Sequence, residues 1–328
     1  MAVAHPEAPT GAAAPRPRTR PVDSSASWPL RDRVGLALCW AAGLALCLIC
    51  AAIVLFLTVK GLESLRLSWL VEHPTADLDQ SKSGGFLDPI VGTFLLTAVG
   101  MVIAAPLGVA IAVWLTEYAR PAWLARAVES GVEIVAGTPS IVLAIFGLIV
   151  FSNTALGFLS APVEGASAFG RSFLIAGAMM ALLALPLVIG SVREALHALP
   201  GHLREASYAL GKTKATTIRK VLLPAIRPGI ATGGALGTGR IIGDTAIVIV
   251  LLGGTLQIEG AGGLPILSTL RGTGQTLTSY VYNNSPAGEG NAPEKAYAAA
   301  FVLMLVIIAL NWVVDRLAKG QEGITWIR

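Results

Sequence analysis

The chain has 328 residues, of which 54% are hydrophobic and only 13% charged, with a formal net charge of +4 and a mean hydropathy of +0.69. A soluble domain carries about 25% charged residues, so this composition excludes an ordinary water-soluble fold and leaves no length for a large soluble domain. The basic excess sits in loops between apolar runs, a pattern that reports membrane topology rather than nucleic-acid binding.

Residues 1–27 are rich in Ala, Pro and Arg with almost no large apolar side chain, which predicts a disordered tail ahead of a transmembrane domain over 28–328. Arg31 and Arg33 then precede an uncharged run from Val34 to Val59. A signal peptide has an apolar core of about 7–15 residues, so this longer run is read as a true span. Cys39, Cys47 and Cys50 all lie in it with no His or carboxylate beside them. They read as small apolar packing residues, not as metal ligands or a disulfide framework. The remaining apolar runs long enough to cross about 30 Å of hydrocarbon fall near 90–116, 130–152, 172–193, 228–252 and 296–315. The expectation is an all-α integral membrane protein with six transmembrane helices.

Gly137 and Pro139 interrupt the third run and Pro186 the fourth. The fifth carries Gly229, Gly233, Gly234, Gly237, Gly239 and Gly243; small residues let helices approach closely, so it is expected to pack on another helix rather than face lipid. The tail, the second–third loop, the fourth–fifth loop and the C-terminus hold 17 of the 24 Lys and Arg. The positive-inside rule therefore places both termini in the cytoplasm. Of the two long outer loops, 60–89 is mixed in charge and 253–295 is Gly-rich. The stretch Leu277–Tyr282 in the latter reads as a short interfacial or re-entrant helix, with tyrosines as headgroup anchors or as contacts for an extracellular partner.

The fourth–fifth loop, 200–224, is the most informative segment. Pro200-Gly201 breaks the incoming helix, residues 202–210 favour a short helix, and Gly211 suits the left-handed conformation that ends one. A second short helix would run to Pro224. Composition alone makes this a basic amphipathic hairpin that could rest on anionic membrane lipid.

Its spacing says more. Glu205-Ala206-Ser207, Gly211, Val221, Leu223 and Pro224 resemble the EAA loop of permeases in bacterial ABC importers, with Ser207 for Ala and Val221 for Ile. The resemblance implies a type I ABC importer permease (MetI-like) fold whose coupling helix, carried to residues 203–211, inserts into a cytoplasmic ATPase. Arg204, Glu205, Ala206, Ser207, Leu210 and Gly211 would form that coupling element. The chain has no phosphate-binding Gly-x-x-x-x-Gly-Lys-Ser/Thr run. A separate P-loop ATPase dimer is therefore implied, and the chain itself is a transport subunit with no catalytic residues and no cofactor.

In the fifth span, Arg240 and Asp244 stand one helical turn apart. Self-neutralisation would make the two charges tolerable in lipid, yet ionisable groups within a span by default mark a substrate path, and the arginine fork suits phosphate-like oxyanions. The segment Gly239-Arg240-Ile-Ile-Gly243-Asp244-Thr245-Ala246 is similar to the Arg-x-x-Gly-Glu-Thr-Ala segment of phosphate-specific (Pst) permeases. Gly137-Thr138-Pro139-Ser140-Ile141-Val142 and the stretch from Gly92-Thr93 through Pro106-Leu-Gly108 to Glu117-Tyr118 also resemble that family. Arg240 and Asp244 would then lie on the phosphate path, and Thr138 and Ser140, which flank a helix-breaking proline, would either line it or satisfy the kink locally. Thr245-Ala246 favours the A-type subunit over the C-type.

What the resemblance implies is a permease half of a phosphate importer in the bacterial cytoplasmic membrane. Its partners would be a second homologous permease, the ATPases and an extracytoplasmic phosphate-binding protein. A permease for phosphonate, sulfate or molybdate is the near alternative. A secondary transporter should show paired broken repeats, and a membrane enzyme needs clustered reactive groups, whereas His5, His73, His197 and His202 are scattered. Glu129 is expected to pair with Arg126 at i,i+3.

Overall fold

The computed structural model describes residues 29–75, 84–160, 170–252, 265–286, 288, 290 and 292–319. The tail over 1–27 lies outside them, as does the start of the 253–295 loop, residues 253–264. The chain divides into two compact units between Leu55 and Phe56. The first unit's described part belongs to α1 (Leu30–Ser64), an apolar helix of 35 residues in which Gly61 is the one buried residue. Cys39, Cys47 and Cys50 are exposed on it.

Among the described residues, the elements of the second unit are helical and are joined by short irregular segments. A short 3-10 turn (Leu67–Leu70) leads to α2 (Leu87–Val113), which continues as a π-helical turn over Trp114–Tyr118. Next come α3 (Ala122–Gly137) and α4 (Ser140–Phe151), a second 3-10 turn, and α5 (Phe173–Ala198). The loop of interest forms α6 (Gly201–Ala209), α7 (Lys214–Thr217), a π-helical turn over Ile218–Leu222, and α8 (Leu223–Ala225). The remainder is α9 (Arg227–Gly243), α10 (Ala246–Leu251), α11 (Pro265–Arg271), α12 (Leu277–Asn284) and α13 (Pro293–Lys319).

Among the described residues four helices are long and apolar enough to cross a membrane: α1, α2 with its π turn, α5 and α13. A fifth crossing exists if α3 and α4 count as one broken span, because they meet at a bend of 109°. The cause is Pro139, which holds an extended conformation between them and has no amide to continue the ladder. The expected fifth run, 228–252, is also broken: α9 stops at Gly243, and α10 adds only 6 residues after it.

Pro186, by contrast, does not interrupt the fourth run; α5 passes through it unbroken. The most hydrophobic stretch of α5 is 61% buried, and surrounding helices hold the backbone in place where a carbonyl loses its partner. Pro224 likewise sits within a continuous helical stretch, directly after the π-helical turn over Ile218–Leu222.

The core is built by α2, α5 and α9. Gly100, Ala104, Gly108 and Ala112 recur every fourth residue along α2 and are all buried. A Cβ on Gly108 would lie 2.7 Å from Val188 Cγ1 of α5, and one on Gly100 would lie 2.8 Å from Ile241 Cδ1 of α9. The glycine-rich helix packs on other helices as expected except at its last glycines, and Gly234 faces Val314 of α13. Gly229, Gly233 and Gly237 face Ala195, Val188 and Ala184 of α5, whereas nothing lies within 4 Å of a Cβ on Gly239 or Gly243.

A second cluster surrounds Trp69, Phe86, Leu277, Tyr280, Ala298 and Ala299. Tyr280 is therefore no headgroup anchor: it is 1% exposed, with its ring 5.8 Å from that of Phe86. Tyr282, on the other face of α12, is 54% exposed and remains available to the surroundings. Lys295 joins this cluster, donating to the Gly84 carbonyl at 3.1 Å with its ammonium 5.5 Å from the centre of the Trp69 ring.

Candidate functional site

Arg240 sits in the last turn of α9, and Asp244 is the residue at which that helix ends. Their nearest charged atoms, Arg240 Nη2 and Asp244 Oδ2, are 4.0 Å apart, at the outer limit of an ion pair. The side chains are unequal: Asp244 is 4% exposed and Arg240 45%. Asp244 is also occupied elsewhere, because its Oδ1 accepts from the Ile247 amide at 3.0 Å and so caps the start of α10. On the other side of the break, Thr278 Oγ1 of α12 donates at 2.6 Å to the Ile242 carbonyl, one of the acceptors left over where α9 stops. Thr93 Oγ1 of α2 accepts from the Leu277 amide at 2.9 Å and anchors α12 in that place.

The broken helix is thus satisfied on both ends by side chains. Arg240 is left on an exposed stripe of α9 together with Thr232, Leu236 and Gly243, opposite the glycines that pack on α5. A half-exposed guanidinium, held only loosely by Asp244, can accept an oxyanion without first losing a tight partner.

Thr138 and Ser140 lie at the bend between α3 and α4, both half-buried. Thr138 Oγ1 donates to the Ile134 carbonyl at 2.7 Å, so this hydroxyl serves the kink. Ser140 opens α4. Glu129 does not pair with Arg126. It accepts at 2.7 Å from Arg193 Nη2 of α5, while Arg126 Nε donates weakly to the Ala122 carbonyl at 3.4 Å.

In the 200–224 loop, Gly211 has φ +71°. Its amide donates to the Tyr208 carbonyl at 2.9 Å and that of Lys212 to the Ser207 carbonyl at 3.2 Å. These two bonds form the Schellman arrangement that ends a helix on a left-handed residue. The six expected loop residues divide between two faces of this helix. Glu205, Ala206, Leu210 and Gly211 are exposed, Leu210 at 77%. Arg204 and Ser207 turn inward, three residues apart on one side.

Ser207 Oγ shares a buried 2.8 Å hydrogen bond with Thr217 Oγ1 and ties α6 to α7. Arg204 reaches Glu117 in the π-helical turn of α2: Nε and Nη2 donate to Oε1 at 3.0 and 2.9 Å. Arg204 Nη2 also donates to the Leu196 carbonyl of α5 at 3.2 Å. Lys214 donates its ammonium to the backbone carbonyl of Glu117 and lies 4.7 Å from the centre of the Tyr118 ring.

Glu117 and Lys214 carry no role in the sequence reading. The signal was present: a single acid ends an apolar run and faces a loop otherwise crowded with cations.

Residues 104–322 match the family described as "Binding-protein-dependent transport system inner membrane component". The chain is 35% identical over 245 residues to the "Probable ABC transporter permease protein YqgH" of Bacillus subtilis, covering 71% of this chain and 77% of that one. It is 32% identical over 246 residues to the "Phosphate transport system permease protein PstA 1" of Mycobacterium tuberculosis, covering 75% and 74%. The "Phosphate transport system permease protein PstC" of Xylella fastidiosa is also 32% identical, over 250 residues and 72% of each chain.

Among solved structures, a chain of a bacterial alginate ABC transporter superposes with a TM-score of 0.59 at 16% identity, covering 88% of this chain and 94% of that one. A chain of the MetNI methionine ABC transporter gives 0.53 at 21%, covering 72% and 94%. These two show the fold alone, which is that of ABC importer permeases. The family match takes in both the 200–224 loop and the Arg240 region, and the chain belongs to the inner-membrane components of binding-protein-dependent transport systems.

Proposed function

We propose that this chain is one of two permease halves of an ATP-driven phosphate importer. The observation that carries the cargo is Arg240: a guanidinium 45% exposed at the end of a broken, glycine-lined helix, in a segment similar to that of phosphate permeases. Two relatives named as phosphate transport permeases, at 32% identity, support the same cargo. Phosphate would be held transiently by the arginine fork, with Asp244 close enough to weaken the hold, because a conduction site must also release. Relatives of both the A-type and the C-type match at 32% identity; Thr245-Ala246 favours the A-type.

In this reading six crossings are completed by the broken pair α3–α4 and by α9 continued through α10. Both termini are cytoplasmic, and the 200–224 loop meets the ATPase. Glu205, Ala206, Leu210 and Gly211 form the docking face, since these are the exposed ones among the six expected coupling residues. An extracytoplasmic binding protein delivers phosphate, and ATP closing the ATPase dimer moves the helices between inward-open and outward-open states.

The decisive experiment is ATP-dependent uptake of labelled phosphate by the reconstituted importer, with sulfate, molybdate and phosphonate as competitors. Accumulation of phosphate that only unlabelled phosphate suppresses supports the reading. Uptake of another oxyanion in its place removes it.

A further inference from the structure

We infer that Glu117 is the latch that carries motion of the coupling helix into α2, a positioning residue for transport rather than a contact for cargo. The inference rests on the reading of the 200–224 loop as the ATPase-docking element. Along the chain, α6 is connected only to α5 and, through α7 and α8, to α9. The contact with α2 comes from 87 residues away: Arg204 places two N–H groups on one carboxylate oxygen, at 3.0 and 2.9 Å. Glu117 is 7% exposed and Arg204 23%, so water screens the pair little. The main chain at the same residue is also engaged, by Lys214 from the second helix of the hairpin. Both arms of the hairpin therefore grip a single residue of α2.

That residue sits in an unusual piece of backbone. The turn over Trp114–Tyr118 is π-helical, and it closes on Ala119 at φ +41°, ψ +35°, with the Ala119 amide donating to the Trp114 carbonyl at 2.8 Å. A left-handed alanine is strained, and such strain persists only where surroundings hold it. The widened turn points the Glu117 carboxylate toward Arg204 and its carbonyl toward Lys214, two directions served by one residue. Beyond the latch, α2 is rigidly packed, and Gly100 lies directly against Ile241, the neighbour of Arg240. A displacement of α6 would thus reach the cargo region through α2 as well as through α9.

A buried ion pair is weak support for stability, and losing one partner can unfold the site. The test must therefore read coupling and not assembly alone. The intact importer carrying Glu117→Ala, Arg204→Ala, both, or Glu117→Gln is reconstituted, and ATPase rate is measured with and without the loaded binding protein, alongside the amount of ATPase that co-purifies.

The latch predicts that Glu117→Ala lowers stimulation by the binding protein at least tenfold while the ATPase stays bound. Glu117→Gln, whose amide oxygen still accepts from Arg204, retains part of it. Residues acting through one another are non-additive, so the double variant falls no further than the worse single one.

A Glu117→Ala complex with wild-type stimulation overturns the proposal, and so do losses that multiply in the double variant. If Glu117→Ala fails to assemble, Glu117→Gln decides: assembled and fully stimulated, it overturns the latch as well. Wild-type importer that is stimulated but does not accumulate phosphate refutes the cargo assignment and leaves the latch standing.

Discussion

Asp244 stands 4.0 Å from Arg240 while its other carboxylate oxygen is committed to the amide of Ile247. The acid is thus a structural cap first and a counter-ion second, and this separates two effects that a simple charge pair would merge. Asp244→Asn keeps an oxygen to cap α10 and removes only the charge. Asp244→Ala removes both, and loss of a cap costs about 1 kcal/mol. Thermal unfolding in detergent should therefore show Asp244→Ala melting below Asp244→Asn, with phosphate uptake altered in both. Equal melting of the two variants would deny the cap its role.

Arg240→Gln should abolish phosphate uptake, by at least a hundredfold, while leaving the importer assembled. The side chain is half-exposed and makes no close hydrogen bond to Asp244, so its removal leaves little unsatisfied inside the fold. Arg240→Lys should retain some transport, since it keeps the charge but loses the planar fork. Uptake measured in proteoliposomes at matched protein content checks both. Full transport by Arg240→Gln would make the arginine a structural residue.

The sequence made the class, the apolar runs and the hairpin legible because each rests on local rules: length against bilayer thickness, Pro-Gly breaks, and a glycine three residues past Tyr208. It placed Gly229, Gly233 and Gly237 against another helix for the same reason. What it missed depends on contacts between distant residues. The break at Asp244 is stabilised by Ile247 and by Thr278 of a separate helix, so a run of apolar residues from 228 to 252 looked continuous. Glu129 chose Arg193 of α5 over the nearby Arg126, and Arg204 turned inward to Glu117 of α2, because helix packing brings those partners closer than sequence neighbours. Pro186 read as a break, but an unbroken helix crosses it where neighbours enclose the chain.

Gly108→Leu should destabilise the fold. A Cβ there would already lie 2.7 Å from Val188 Cγ1 and 2.9 Å from Val188 Cβ, atoms of a β-branched side chain with little freedom to move. Overpacking of this kind costs about 1–3 kcal/mol or more. Membrane-extracted yield and melting temperature should both fall. Gly131→Leu, with nothing within 4 Å of its Cβ, is the control and should leave both unchanged.

Burial pushes the Tyr280 phenol up from 10 to about 12. The folded state therefore favours the neutral phenol, and the associated stability is complete below pH 10. It is lost as pH rises through 12, because the unfolded chain ionises first. Two pK units correspond to about 2–3 kcal/mol. Stability of the wild type should therefore drop between pH 10 and 12 by more than that of Tyr280→Phe, read as the difference between two thermal-shift series. Parallel curves would mean that the phenol is not shielded as its 1% exposure implies.

Gly211 separates conformational from steric requirements in the docking hairpin. No atom lies within 4 Å of a Cβ built there, yet φ is +71°. A β-branched residue would strain the backbone by about 1–2 kcal/mol without clashing with anything in this chain. Asparagine tolerates the left-handed region better. If the glycine matters only for the turn, Gly211→Asn should retain most transport and Gly211→Val should lose it, with the Schellman bonds broken. If an ATPase closes over this surface, both variants should uncouple hydrolysis from uptake, because any side chain at an exposed turn meets the docked partner. The ratio of phosphate moved to ATP hydrolysed distinguishes the two, and the docking assignment requires Gly211→Asn to lower it. A Gly211→Asn importer with the wild-type ratio would confine this glycine to ending the helix and leave Leu210 and Glu205 as the residues through which docking must be tested.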